Sequence, residues 1–236
     1  MPESLNLVQK RRSHLQGAVG DLGARVVEAL HRSVECLKTQ DKALAADIIA
    51  GDQLINQQRR LLEQECLVTL AAYKPAGEDL RAVGACMELA SELERIGDYA
   101  ADVARIIERD VQAPLPAEPV AAIAELAEDA IDMLEQTLAA FVANGSEATL
   151  RAAVEKESEV DREEDEFIAQ VLERMRADAA FAATGTYLLW IVHNYERVAD
   201  RATNVAERAI YVASGHPPDL DWAATALSRP DPLFTE

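Results

Sequence analysis

Apolar residues recur along this chain in steps of three and four, the mark of amphipathic helix, and only a few turn-rich stretches interrupt the pattern. Leu15, Val19, Leu22, Val26, Leu30, Ser33 and Leu37 set out a first long helix that stops near Lys38-Thr39-Gln40-Asp41. A second helical pattern covers roughly 42–73, with Gly51-Asp52 a mild interruption that leaves room for a kink or local break. Pro75 and Gly77 end it, and Glu78-Asp79 opens a third helix toward Asp110, its acids suited to the positive end of the helix dipole. The stretch 111–119, with Pro114, Pro116 and Pro119, reads as the linker. Ile123, Ala127, Ile131, Leu134, Leu138 and Phe141 form the inward stripe of a fourth helix. At Asn144-Gly145-Ser146 the chain stops and restarts, Gly145 suiting the left-handed cap and Ser146 the next N-cap. A fifth helix is predicted over about 146–176, and Thr184-Gly185-Thr186 is expected to break the chain before a last helix ending near Ser214-Gly215. No strand-like alternation is evident. The fold class is therefore all-α, two tandem pseudo-symmetric three-helix bundles over 1–112 and 119–215, with short connections making neighbours antiparallel. In the tail, 216–236, Trp222, Leu227, Leu233 and Phe234 are residues that would dock on the body.

The two halves share more than helix order. Glu94-Arg95-Ile96-Gly97-Asp98-Tyr99-Ala100-Ala101-Asp102-Val103-Ala104 returns 102 residues later as Glu196-Arg197-Val198-Ala199-Asp200-Arg201-Ala202-Thr203-Asn204-Val205-Ala206. At 100° per residue Leu89, Leu93, Ile96, Ala100, Val103 and Ile107 make one stripe, while Glu94, Asp98 and Asp102 fall on the opposite side. The second copy does the same with Leu188, Ile191, Tyr195, Val198, Ala202, Val205 and Ala209 inward and Glu196, Asp200 and Asn204 outward. Acids at i, i+4 repel each other, so the face is either simply solvated or a place for a cation; its duplication favours the cation. On the preceding helices, Glu157 and Asp161 lie 105 residues beyond Asp52 and Asn56, each pair again at i, i+4. The second-half face, with Glu157, Asp161, Glu196 and Asp200, is expected to bind a multivalent cation more tightly than the first. The first has Asp52, Glu94 and Asp98, Asn56 offering only an amide and Asp102 a partial replacement. His193 shares the face of Glu196 and Asp200 and lies in reach of that second site, although with no second histidine converging a surface residue is the commoner reading.

Charge narrows the function. A net charge of -19 repels phosphate backbones, and Lys10-Arg11-Arg12 is too short a basic patch to reverse that, so nucleic acid is excluded as a partner. A basic segment of a membrane protein would be attracted instead. Cys36, Cys66 and Cys86 form no CxxC and no complete disulfide framework. With no apolar run of membrane-spanning length and no secretory h-region, direct membrane insertion is not expected and a cytoplasmic location is. Glu28 and His31 make an ExxH, but a di-iron bundle needs a second such pair, which is absent. There is also no phosphate-binding P-loop, HExxH or GxSxG, which points to a binding protein and not an enzyme. A carboxylate-bridged metal protein or metalloenzyme on a helical bundle is the alternative, and a pure helical scaffold a third.

The two ER(I/V)(G/A)D motifs, their Asp or Asn at i+8 and the duplicated three-helix order resemble the PhoU family of phosphate-uptake regulators, over about residues 10–215. The resemblance implies a cytoplasmic helical protein, commonly a homodimer. It would act with a phosphate ABC transporter and a sensor histidine kinase to keep the phosphate-starvation response off when phosphate is plentiful. It also implies metal on the acidic motifs (Fe, Zn, Mn, Ni or Mg), carried here by Glu94, Asp98, Glu196 and Asp200 with Asp52, Glu157 and Asp161 on the adjoining helices. Two departures stand out: Tyr99 and Arg201 occupy the position after the motif Asp, where histidine is common, and the second motif reads Val-Ala-Asp in place of Ile-Gly-Asp.

Overall fold

The computed structural model describes residues 2–109 and 114–216; the start of the linker and the tail beyond 216, with its expected docking residues Trp222, Leu227, Leu233 and Phe234, lie outside the described residues. Among the described residues seven α-helices follow one another: α1 (Pro2–Thr39), α2 (Lys42–Tyr73), α3 (Glu78–Glu108), α4 (Ala117–Val142), the short α5 (Glu147–Ala153), α6 (Glu157–Ala177) and α7 (Ala182–Ser214). No strand occurs among the described residues. Helices α1–α3 form one three-helix bundle, and α4, α6 and α7 form the second in the same order.

The apolar stripes read from the sequence are the buried ones. Leu15, Val19, Leu22, Leu30, Leu37, Leu89, Leu93, Ile96, Ile123, Ile131, Leu188 and Val198 are all fully excluded from solvent. Because α3 packs on α7 and α1 on α4, the inner faces of both bundles merge into a single core, with α2 and α6 laid on its outside. Burying each Leu or Ile removes apolar area worth about 2 kcal/mol from water, so the shared core ties the halves together. A polar link crosses it: Ser33 donates to the Leu30 carbonyl at 2.7 Å, leaving its oxygen to accept from the buried Tyr195 hydroxyl at 2.9 Å. Gln40, at φ 54, closes α1 and clamps Leu115 through its amide, accepting from the Leu115 N–H at 2.9 Å and donating to its carbonyl at 3.0 Å.

Several local expectations need correction. Helix α2 runs unbroken through Gly51-Asp52: Asp41 caps it by accepting from Ala43 N and Leu44 N, and the buried Ile48 and Ile55 on either side outweigh the roughly 1 kcal/mol helix cost of glycine. At the α4 stop the left-handed residue is Asn144 (φ 53), not Gly145; the glycine is needed because a Cβ there would lie 3.0 Å from the Ala140 carbonyl oxygen. Ser146 does cap the next helix, accepting from Thr149 N. The helix expected over 146–176 is split at 154–156, where the buried Val154 turns the chain and Lys156 reaches back to pair with Asp129. Thr184-Gly185-Thr186 breaks nothing: α7 begins earlier, at Ala182, after a cap in which Asp178 accepts from Ala180 N. Gly185 is there for packing, since a Cβ would come within 2.7 Å of Met175 Sδ. Pro119 sits inside the first turn of α4, where its missing N–H is no loss.

Candidate cation site

The two acidic faces occupy equivalent places, α2 against α3 and α6 against α7. In the second half, Glu157, Asp161 and Glu164 lie on α6 at i, i+4 and i+7, facing His193, Glu196 and Asp200 on α7 at i, i+3 and i+7. Glu164 Oε1 lies 3.1 Å from His193 Nδ1, which lies 3.4 Å from Glu196 Oε2. One atom from each of Glu164, His193 and Glu196 falls within 4.8 Å of the other two. Ligands about 2.0–2.2 Å from a common transition-metal ion are separated by roughly 3–4 Å, so a small side-chain adjustment brings the three onto one centre.

The electrostatics match. Burial pushes the Glu196 carboxyl up to about 7, and Glu164 pushes the same way; His193 opposes, while Asp200 and Asp161 add further repulsion. The hydrogen bond to Glu164 raises the His193 imidazole above its ordinary value, despite burial. Glu164 and Glu196 are largely covered, their side chains 12% and 18% exposed, and His193 is 57% exposed. Of the sequence-predicted residues, Glu196 is central, Asp161 and Asp200 are near enough to act on its charge, and Glu157 sits one turn earlier on α6. Asp200 is exposed at the rim. Glu164 was the residue that sequence reasoning missed, hidden in an acidic run; its i+3 spacing from Asp161 was the available signal. His193, in reach of this face by its spacing, is part of the cluster.

The first half resolves its charge differently. Helix α2 carries Asp52, Asn56 and Arg59, and α3 carries Glu94, Asp98, Asp102 and Arg105. Arg59, the counterpart of Glu164 at the 105-residue interval, puts Nε 4.0 Å from Glu94 Oε1 and Nη1 2.9 Å from Glu63 Oε2. Arg105 bridges the helices, with Nη2 3.9 Å from Asp52 Oδ2 and Nη1 2.5 Å from Asp102 Oδ1. The counterpart of His193 is Ser91. Asn56 donates to Asp52 Oδ2 at 3.3 Å. Asp98 then takes up what repulsion remains: burial first, then Asp52, Glu94 and Asp102, push its carboxyl up to about 6 against the pull of Arg105. Asp52 is also raised, chiefly by burial, and its Oδ1 is buried without a hydrogen bond among the described residues. Two guanidiniums offset this face, and Asp98 adds a proton only as pH falls through about 6. Its donor set does not fit a metal ion: an amide and a guanidinium stand where the second half has carboxylates.

The departures from the motif form their own contact between the halves. Tyr99 Oη accepts from Arg197 Nε at 2.9 Å and from Arg201 Nε at 3.4 Å, and Arg201 pairs with Glu92 at 2.9 Å. The Gly97-to-Ala199 change goes with a change from Ile55 to Val160 on the facing helix, one carbon gained and one lost. Gly97 lies against Ile55, a Cβ there meeting Ile55 Cδ1 at 3.0 Å, while the equivalent buried positions in the second half are Ala199 and Val160. The three cysteines are free and buried, and burial lifts their thiols to about 11 for Cys36 and about 12 for Cys66 and Cys86, far from thiolate chemistry. No helix among the described residues is long and apolar enough to cross a membrane.

Comparison with known proteins bears on the duplication directly. A model of the PhoU domain matches twice, over residues 19–107 and 123–209. The chain is similar to the "Phosphate-specific transport system accessory protein PhoU homolog" of Rhizobium meliloti, at 27% identity over 205 residues, 87% of this chain and 86% of the relative. It is 30% identical to the Pseudomonas aeruginosa protein of the same description over 207 residues, 86% and 82% of the two chains. Among solved structures, the phosphate transport system regulatory protein PhoU from Streptococcus pneumoniae superposes with a TM-score of 0.81 at 27% identity, over 90% of this chain and all of that one. PhoU from Pseudomonas aeruginosa superposes at 0.80 and 26%, over 88% and 99%.

Proposed function

Because this chain belongs to the PhoU family, we propose that it is an accessory protein of phosphate uptake that holds the phosphate-starvation response off when phosphate is plentiful. The observation carrying this reading is the double match to the family's domain, one in each half, with relatives of that description aligned along most of both chains. In this reading it is a cytoplasmic homodimer that touches a phosphate ABC transporter and a sensor histidine kinase, and it acts by contact, not by catalysis. Charge supports that mode of action: at -19 the protein is drawn to basic segments of partner proteins and kept off nucleic acid.

The second-half face is its cation site. Glu164, His193 and Glu196 would hold the ion, with Asp161, Asp200 and Glu157 completing the negative field; the imidazole favours Fe, Zn, Mn or Ni over Mg, which prefers oxygen ligands alone. A bound cation would supply positive charge that relieves the repulsion among these carboxylates and fixes α6 against α7. The physiological test is a deletion strain grown with ample phosphate and carrying a reporter of phosphate-starvation genes. The reporter should be switched on, and a plasmid copy of this protein should switch it off. A reporter that stays silent in the deletion strain would remove the regulatory reading.

A further inference from the structure

Helix α2 turns an unusual side to solvent. Between Ala43 and Ala72 it exposes 14 residues, of which only Asp47 and Arg60 are charged. The others are alanine, glutamine, leucine and valine. Leu54, Leu61 and Val68 follow one another at i, i+7 and i+14 and are 53%, 55% and 50% exposed, with Leu67 beside them at 52%. The internal duplication supplies a control. At the same 105-residue interval that pairs the acidic faces, these three positions become Glu159, Glu166 and Glu173 on α6. Of the 11 residues that α6 exposes, 7 are charged. One fold thus accepts glutamate on this face in one half and presents leucine and valine in the other, so folding does not require the apolar stripe.

We propose that this face of α2 is where a second copy of the chain docks, helix against helix about a two-fold axis. The inference rests on the homodimer reading above and assigns its interface. Charge selects the occupant: two molecules at -19 repel across nearly every face, and α2 is the long helix whose outer side carries almost no charge. A basic partner would be drawn instead to the carboxylates of α6. A repeat of seven residues suits packing against another helix, and a two-fold arrangement sets the same stripe against itself. Helix α2, 32 residues long, spans about 48 Å at 1.5 Å per residue. A strip roughly 10 Å wide along it gives about 500 Å² per copy, below the usual 800 Å², so a small interface is expected and a dimer whose population depends on concentration.

The test uses the full chain in sedimentation velocity over a concentration series, comparing wild type with Leu54→Glu/Leu61→Glu, the residues α6 already bears at these positions. Wild type should move from monomer to dimer as concentration rises, and the variant should stay monomeric, its dimer weakened by roughly 100-fold or more. Its circular dichroism and melting should match wild type; should it melt early, Leu61→Gln serves in its place, glutamine being native to this face at Gln57 and Gln64. Leu61→Cys should form an intermolecular disulfide on mild oxidation. A wild type monomeric at every concentration would overturn the homodimer reading itself. A variant that still dimerises, with no cross-link through position 61, would leave the homodimer standing and overturn the assignment to α2. Loss of a contact with the chain's own 217–236 segment would show as a less stable variant of unchanged mass, and that result also rejects the proposal.

Discussion

Replacing Asp98 by asparagine should make this protein more stable at neutral pH, which is unusual for a change at a motif residue. In the folded chain its carboxyl titrates at about 6 in place of the ordinary 3.8, through burial and through Asp52, Glu94 and Asp102. A folded-state value raised in this way means the native state binds the proton more tightly than the unfolded chain. The ionised carboxylate therefore destabilises the fold above about pH 6, and that penalty fades as pH falls toward 3.8. The difference between those two values corresponds to about 3 kcal/mol at most; the face is open to water, so screening reduces the figure to ~1 kcal/mol. A neutral amide at this position cannot ionise and escapes the penalty. Urea unfolding followed by circular dichroism, with chelator present, should find Asp98→Asn about 1 kcal/mol more stable than wild type at pH 8, equivalent to a few degrees in melting temperature for a chain of this size. The advantage should shrink through pH 6 and vanish near pH 4. A variant less stable than wild type at pH 8, or an advantage independent of pH, would refute the reasoning.

Other consequences are as specific. Gly97→Ala and Ile55→Val should couple: the alanine presses on Ile55 and the valine leaves a gap, so the double variant should be more stable than the sum of the singles implies, by at least ~0.5 kcal/mol in a denaturation cycle. Tyr195→Phe, which removes the buried bond to Ser33 between the halves, should cost about 1 kcal/mol in the same assay. Asn56→Asp/Arg59→Glu, giving the first face the carboxylates of the second, should create a second, weaker class of cation sites in calorimetric titration.

Helix order, the buried stripes and the duplication were legible in the sequence because each rests on many residues keeping one period. Single-residue readings fared worse where tertiary contact overrode local preference. Asn144, not Gly145, took the left-handed turn, and Gly185 served Met175 instead of ending a helix. The cluster of acids and His193 between α6 and α7 was half legible. The paired acids at i, i+4 lie on the two helices that carry the cluster, but Glu164 was hidden among Glu163, Asp165 and Glu166, and only the register of α6 against α7 singles it out. Arg59 was equally hidden. Its contact with Glu94, and that of Arg105 with Asp52, depend on how α2 lies on α3, which no spacing along a single helix reveals.

The central claim is that two related acidic faces have diverged, the second taking a cation and the first holding its own arginines. Its most direct test is a calorimetric titration of chelator-stripped protein with Zn, Mn, Fe, Ni and Mg in turn, on wild type, Glu94→Ala/Asp98→Ala and Glu196→Ala/Asp200→Ala, with melting followed in parallel. The account predicts that wild type and the first variant bind with the same stoichiometry and gain melting temperature on binding, while the second variant loses both. Binding that survives in the second variant, or is lost in the first, would contradict it.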